Sequence, residues 1–191
     1  MAADINARDV LLAEGFKGYL DVYNALAVFE SEIQELSRNA LNKRLSEIKA
    51  SFGRPELTAE DISEVADGVE GVVAIGVKID LPETWGFRFG LKWGQPKADT
   101  KLRPAFATCA VRLGSQQRRK SLFQTFASVK QTSRVAVNLR TRAEWPYEVQ
   151  FDIPLTSPSS SAQFEKRLSD VLAAFLDLTK AIGGLKKAVS R

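Results

Sequence analysis

Nine cations carry the most legible chemistry in this sequence: Arg88, Lys92, Arg112, Arg118, Arg119, Lys120, Arg134, Arg140 and Arg142. Seven of them fall between Thr100 and Arg142, a stretch with ten Lys or Arg and not one Asp or Glu. Cationic side chains without acids nearby in the chain raise the local potential. Their natural chemistry is anion recognition, bidentate from guanidinium groups and point-like from ammonium groups. The flanks are different: residues 1–99 hold 11 basic and 17 acidic side chains, and residues 144–191 hold six of each. The net charge of +4 therefore divides into −6, +10 and zero along the chain.

Catalytic chemistry is narrower. There is no His, which removes the usual general base near neutral pH and the commonest transition-metal ligand. Cys109 is the single cysteine, so neither a Cys-based zinc site nor an internal disulfide is available. Its parity with Val111 and Leu113 predicts a buried structural thiol. No phosphate-cradling Gly-rich loop precedes a helix; Gly86-Phe87-Arg88-Phe89-Gly90 sits inside a strand pattern.

Carboxylates alone can hold a hard divalent metal. The candidates are Asp80, Glu148, Asp152, Glu30 and Glu35. Glu148-Val149-Gln150 resembles the (Asp/Glu)-x-Lys element of restriction-type nucleases, with Gln150 in the lysine position and Asp80 lying 68 residues earlier. A metal-dependent nuclease or phosphotransferase is thus one alternative function. A sheet curled around a small ligand, closed by a C-terminal helix, is another. No cofactor and no catalytic residue is assigned.

The elements that must position these groups follow from periodicity. With 191 residues, 45% hydrophobic and 26% charged, the chain has the composition of one globular domain spanning residues 1–191. No apolar run approaches the ~20 residues of a membrane span. The first residues lack the basic and apolar regions of a secretory signal, so a cytoplasmic location is expected. Over residues 8–52 the apolar residues Leu12, Phe16, Tyr19, Tyr23, Leu26, Ile33, Leu36, Leu41, Leu45, Ile48 and Phe52 recur in steps of three and four, a helical stripe. Gly15 and Gly18 allow one helix or two. Glu30 and Ser37 interrupt the seam, which favours packing on the protein's own sheet over a long coiled coil. Thr58, followed by Glu60 and Asp61, predicts a short helix over 58–67.

Period-two alternation then dominates residues 69–155. Trp85, Phe87, Phe89, Leu91 and Trp93 alternate with Gly86, Arg88, Gly90 and Lys92; four other segments behave alike. Arg119–Val129 reads as a sixth strand or a short helix. Short connections predict an antiparallel meander. Trp85, Trp93 and Trp145 share the apolar parity and are assigned to the core. Ser160 with Gln163 opens a C-terminal helix over 160–188 that Gly183-Gly184 ends or kinks. The predicted fold is α+β: a two-layer sandwich with an antiparallel meander of five or six strands, covered on one face by the N-terminal and C-terminal helices.

Parity then places the Arg and Lys residues on the uncovered face, between Gly, Ala and Thr. Phe106 is the only aromatic that parity clearly turns outward there. Such a low floor with cationic posts suits a nucleic-acid backbone or an acidic protein surface. A plain solvated face that discourages sheet-to-sheet aggregation is the bland reading of the same residues. The expected function is a non-catalytic interaction protein with an anionic partner and no membrane. The acidic N-terminal part also permits a homo-oligomer.

Overall fold

The computed structural model describes residues 7–66, 75–81, 85–94, 104–113, 116–128, 138–142, 147–155 and 161–185. The protein is α+β, with an antiparallel sheet flanked by helices. It divides into a first unit, residues 1–32, and a second, residues 33–191.

Helix α1 runs Ala7–Lys43 without a break at Gly18. The interruption falls instead at Arg44, whose N–H bonds the carbonyl of Leu41 (3.0 Å), and α2 continues over Leu45–Phe52. Gly53 closes α2 in the left-handed conformation (φ +63°). Its N–H reaches the carbonyl of Ala50, and that of Arg54 the carbonyl of Lys49. Glycine suits this position because it carries no Cβ to clash there.

Residues 58–67 do not form the expected helix. The Asp61 carboxylate accepts from the Thr58 N–H (2.7 Å) and hydroxyl (3.1 Å), but this cap closes only one 3-10 turn, Ala59–Asp61. Strand β1, Ile62–Ala66, follows at once. Ile62 and Val65 are both buried, and sheet pairing overrides the local helical signal.

Strands β2 (Ile75–Leu81), β3 (Trp85–Trp93) and β4 (Ala105–Leu113) continue β1 as consecutive antiparallel neighbours. Beyond β4 the order is no longer sequential. Strand β6 (Tyr147–Leu155) pairs with β4, and β5 (Asn138–Arg142) lies outside it. Between β4 and β5 the chain forms helix α3, Gln116–Ser128, in place of the strand that was the first expectation. Leu122 and Phe126, four residues apart, are both buried, the spacing of one helix face.

The core of the second unit joins this sheet to α2, α4 (Ser161–Ala181) and residues 33–43 of α1. Phe87 lies at its centre, 5.5 Å from the Phe52 ring and 5.0 Å from the Phe175 ring. Registers Phe87 to Val111 and Phe89 to Cys109 put the odd positions of β3 and β4 on this side. Cys109 is buried, as its parity predicted. Trp93 packs against the core partly buried; Trp145 lies outside the described residues. The apolar stripe of α4 is buried through Phe164, Leu168, Val171, Leu172 and Phe175. The helix ends at Gly183 and Gly184, both at positive φ, where the Gly184 N–H bonds the Thr179 carbonyl at 2.8 Å.

Candidate functional site

Two of the nine cations, Arg88 and Lys92, lie on a covered part of the sheet. Arg88 and Lys92 stand on β3 at the even positions, on the side opposite Phe87 and Phe89. They are 8% and 5% exposed. Ala110, paired with Arg88 on β4, and Thr108, paired with Gly90 between the two cations, are also buried. The centre of the sheet is thus covered on both faces, which corrects the expectation of an uncovered side. The physical reason lies in the side chains: Arg and Lys stems are apolar for most of their length and accept cover. Lys92 Nζ lies 5.7 Å from the centre of the Phe106 ring, so the one aromatic expected to face outward is half-buried against a cation.

Strand pairing sets some of these cations in backbone register with residues of β6. Arg112 on β4 stands in register with Glu148 of β6, and Glu148 in turn with Arg142 of β5. Arg140 stands opposite Gln150. Strand β6, which carries Glu148 and Asp152, lies between β4 and β5. Arg134 lies outside the described residues.

Arg118, Arg119 and Lys120 occupy the start of α3, not a hairpin. Arg118 and Lys120 are exposed. The first turn of α3 holds no acid, and Arg118, its third residue, adds positive charge to the positive end of the helix dipole, where it is unfavourable.

The carboxylates proposed for metal chemistry are dispersed. Asp80 pairs with Lys78 at 2.6 Å. Glu148 and Asp152 lie on β6, whereas Glu30 and Glu35 lie on α1. Among the described residues, no group of three or more His, Cys, Asp or Glu could hold a metal ion.

A cavity of about 390 Å³ opens where α2 meets the end of α4, with Glu47, Ser51, Thr179, Lys180 and Gly184 in its wall. It is formed by helices, unlike the sheet-enclosed ligand site considered from the sequence. The Arg44 guanidinium bonds both carboxylate oxygens of Glu47, at 2.8 and 3.0 Å, and holds that carboxyl below its ordinary value. Ser51 and Thr179 share a buried hydroxyl hydrogen bond of 2.9 Å, and Thr179 Oγ1 donates onward to the Leu176 carbonyl. The wall is thus internally satisfied at these two hydroxyls.

The feature that sequence reasoning misassigned is in the first unit. The helical stripe was expected on the protein's own sheet, and this holds only from Ile33 onward: Ile33, Ala40, Leu41, Ile48 and Phe52 are buried. Leu12, Phe16, Tyr19, Tyr23 and Leu26 are 53–65% exposed. The signal was present in the uninterrupted three-four spacing over 12–26, ahead of Glu30.

No family model matches this chain, and no curated protein or solved structure matches it either. Among the described residues, no helix is long and apolar enough to cross a membrane.

Proposed function

We propose that this chain is a non-catalytic interaction protein that docks an anionic partner, a nucleic-acid backbone or an acidic protein surface, through cations of its middle segment. The observation that carries this reading is the start of α3: Arg118 in its first turn and Lys120 just beyond it are exposed, and that turn holds no acid. Positive charge within the first turn costs helix stability, about 0.3–1 kcal/mol for a residue placed like Arg118. An anion bound at this turn would meet both exposed cations and the positive end of the helix dipole together. Arg88 and Lys92 are left out of this surface because they are buried. Arg112, Arg134, Arg140 and Arg142 remain candidates by sequence; Arg112 and Arg142 stand in backbone register with Glu148. The architecture behind this reading is a two-layer sandwich of five or six strands, supported by α4 packing against β4 and β6.

The test is salt-titrated binding of the full chain to duplex DNA, single-stranded DNA, RNA and an acidic polypeptide. Counterion release makes phosphate binding weaken steeply with added salt. Retention of a nucleic acid at low salt, lost when Arg118→Glu and Lys120→Glu are combined, supports the reading. Failure to retain any of the four polyanions at low salt refutes it.

A further inference from the structure

We propose that residues 7–32 of α1 pair with the same segment of a second copy of this chain, antiparallel, to form a helical dimer interface. The seam is Leu12, Phe16, Tyr19, Tyr23 and Leu26, in steps of four, three, four and three. This 3.5-residue average keeps one stripe facing a partner helix along its length. All five are more than half exposed, and Tyr19 and Tyr23 stack with ring centres 6.4 Å apart.

The stripe is too large for an ordinary solvated surface. Leu20, Val22 and Phe29 widen it, each between 37% and 60% exposed. With aromatic side chains burying about 150–250 Å² each, the stripe offers on the order of 1,000 Å². A standard interface takes about 800 Å² from each partner, and the largest apolar patch on a typical monomer is about 300–600 Å².

Helix propensity argues in the same direction. Gly15 and Gly18 each cost about 1 kcal/mol in a helix interior. A Cβ built at either position meets nothing within 4 Å, so no close approach within the chain calls for glycine there. A helix of this composition draws its stability from packing of its apolar face.

Charge selects the occupant. The positions flanking the seam carry Gly15, Leu20, Val22, Ala27 and Phe29, whereas the acids Glu14, Asp21 and Glu32 fall on the far side. Two copies therefore meet without like charges at the seam edge, while a charged foreign helix would find no complementary charge there. Asp9 and Glu30 are the exceptions, since they continue the seam before Leu12 and after Leu26. Parallel copies would set Glu30 against Glu30. Antiparallel copies separate each acid from its own twin, which favours that orientation.

Sedimentation equilibrium of the full chain over a broad concentration series tests this. The expected result is a doubling of mass with concentration, unchanged or strengthened by added salt, because residues 1–32 hold two basic and six acidic side chains and repel their own copy. Combining Phe16→Glu with Tyr23→Glu should raise the dimer dissociation constant about a hundredfold or more, with the unfolding midpoint of the sheet unchanged. A wild-type chain that stays monomeric overturns the proposal, whether the stripe then takes phosphatidylcholine vesicles or a foreign helix. A dimer that survives the double substitution, or dissolves with salt, overturns it as well. A Leu12→Cys variant that forms a disulfide with its own copy would overturn the antiparallel order.

Discussion

Ser37 is fully buried, and its hydroxyl has no hydrogen-bond partner among the described residues. A buried polar group left unpaired costs about 1–3 kcal/mol, more than a net hydrogen bond contributes. Ser37→Ala should therefore raise stability by about 1 kcal/mol, read as a higher urea midpoint with an unchanged slope. Ser51→Ala should do the opposite, since it removes the donor that meets Thr179. The glycine pair in the sheet is less tolerant. Gly76 and Gly90 stand in register on β2 and β3 at φ +154° and +152°. A Cβ at Gly76 would overlap the Phe89 carbonyl oxygen and lie 2.8 Å from the Gly90 Cα. Alanine at either position should destabilise by about 2–4 kcal/mol, through backbone strain and overpacking together. Thermal unfolding of the two single variants checks this. Both residues were visible in the sequence as small members of a polar parity. Their mutual contact was not, because register depends on which residues pair across strands and not on order within one.

At the scale of elements, α3 shows where periodicity misleads. Leu122, Phe123 and Phe126 fit neither strict alternation nor a clean stripe, and a strand was the first reading. The buried pair Leu122 and Phe126 shows which period won. In β1 the N-cap signal at Thr58 was real, yet pairing of Ile62 with Ile79 outweighs one turn of local preference. Strands β2, β3 and β4 were easier to read, since their alternation is long and their apolar parity is the buried one. The burial of Arg88 and Lys92 has a different reason. Alternation reports two sides of a strand, but it does not say that the polar side meets water. For α3, charge reversal separates function from folding. Arg118→Glu with Lys120→Glu places acids at the positive end of the helix dipole, which should leave the unfolding midpoint unchanged or raise it by a few degrees. The same variant should lose polyanion binding. Differential scanning calorimetry beside the binding assay reads both, and a fall in midpoint together with intact binding would contradict the assignment.

At the scale of the whole molecule, every residue of the described core lies at Ile33 or later. A chain shortened to residues 33–191 should therefore fold cooperatively with nearly the same unfolding midpoint as the full protein, measured by circular dichroism; a collapse of the transition would show that residues 1–32 support the sheet. The division also sorts the charge. Residues 33–191 hold 25 basic and 17 acidic side chains, so the cationic character belongs wholly to the second unit. The exposed stripe on residues 12–26 then bears on binding strength in a way no single copy reveals. Two chains joined there would carry every cationic turn in duplicate, and a long polyanion held by one turn would sit at high effective concentration for the other. Valence of this kind can multiply affinity by roughly 10²–10⁴ where geometry lets both ends engage, so weak individual grips would suffice for tight capture of polymers while short anions escape.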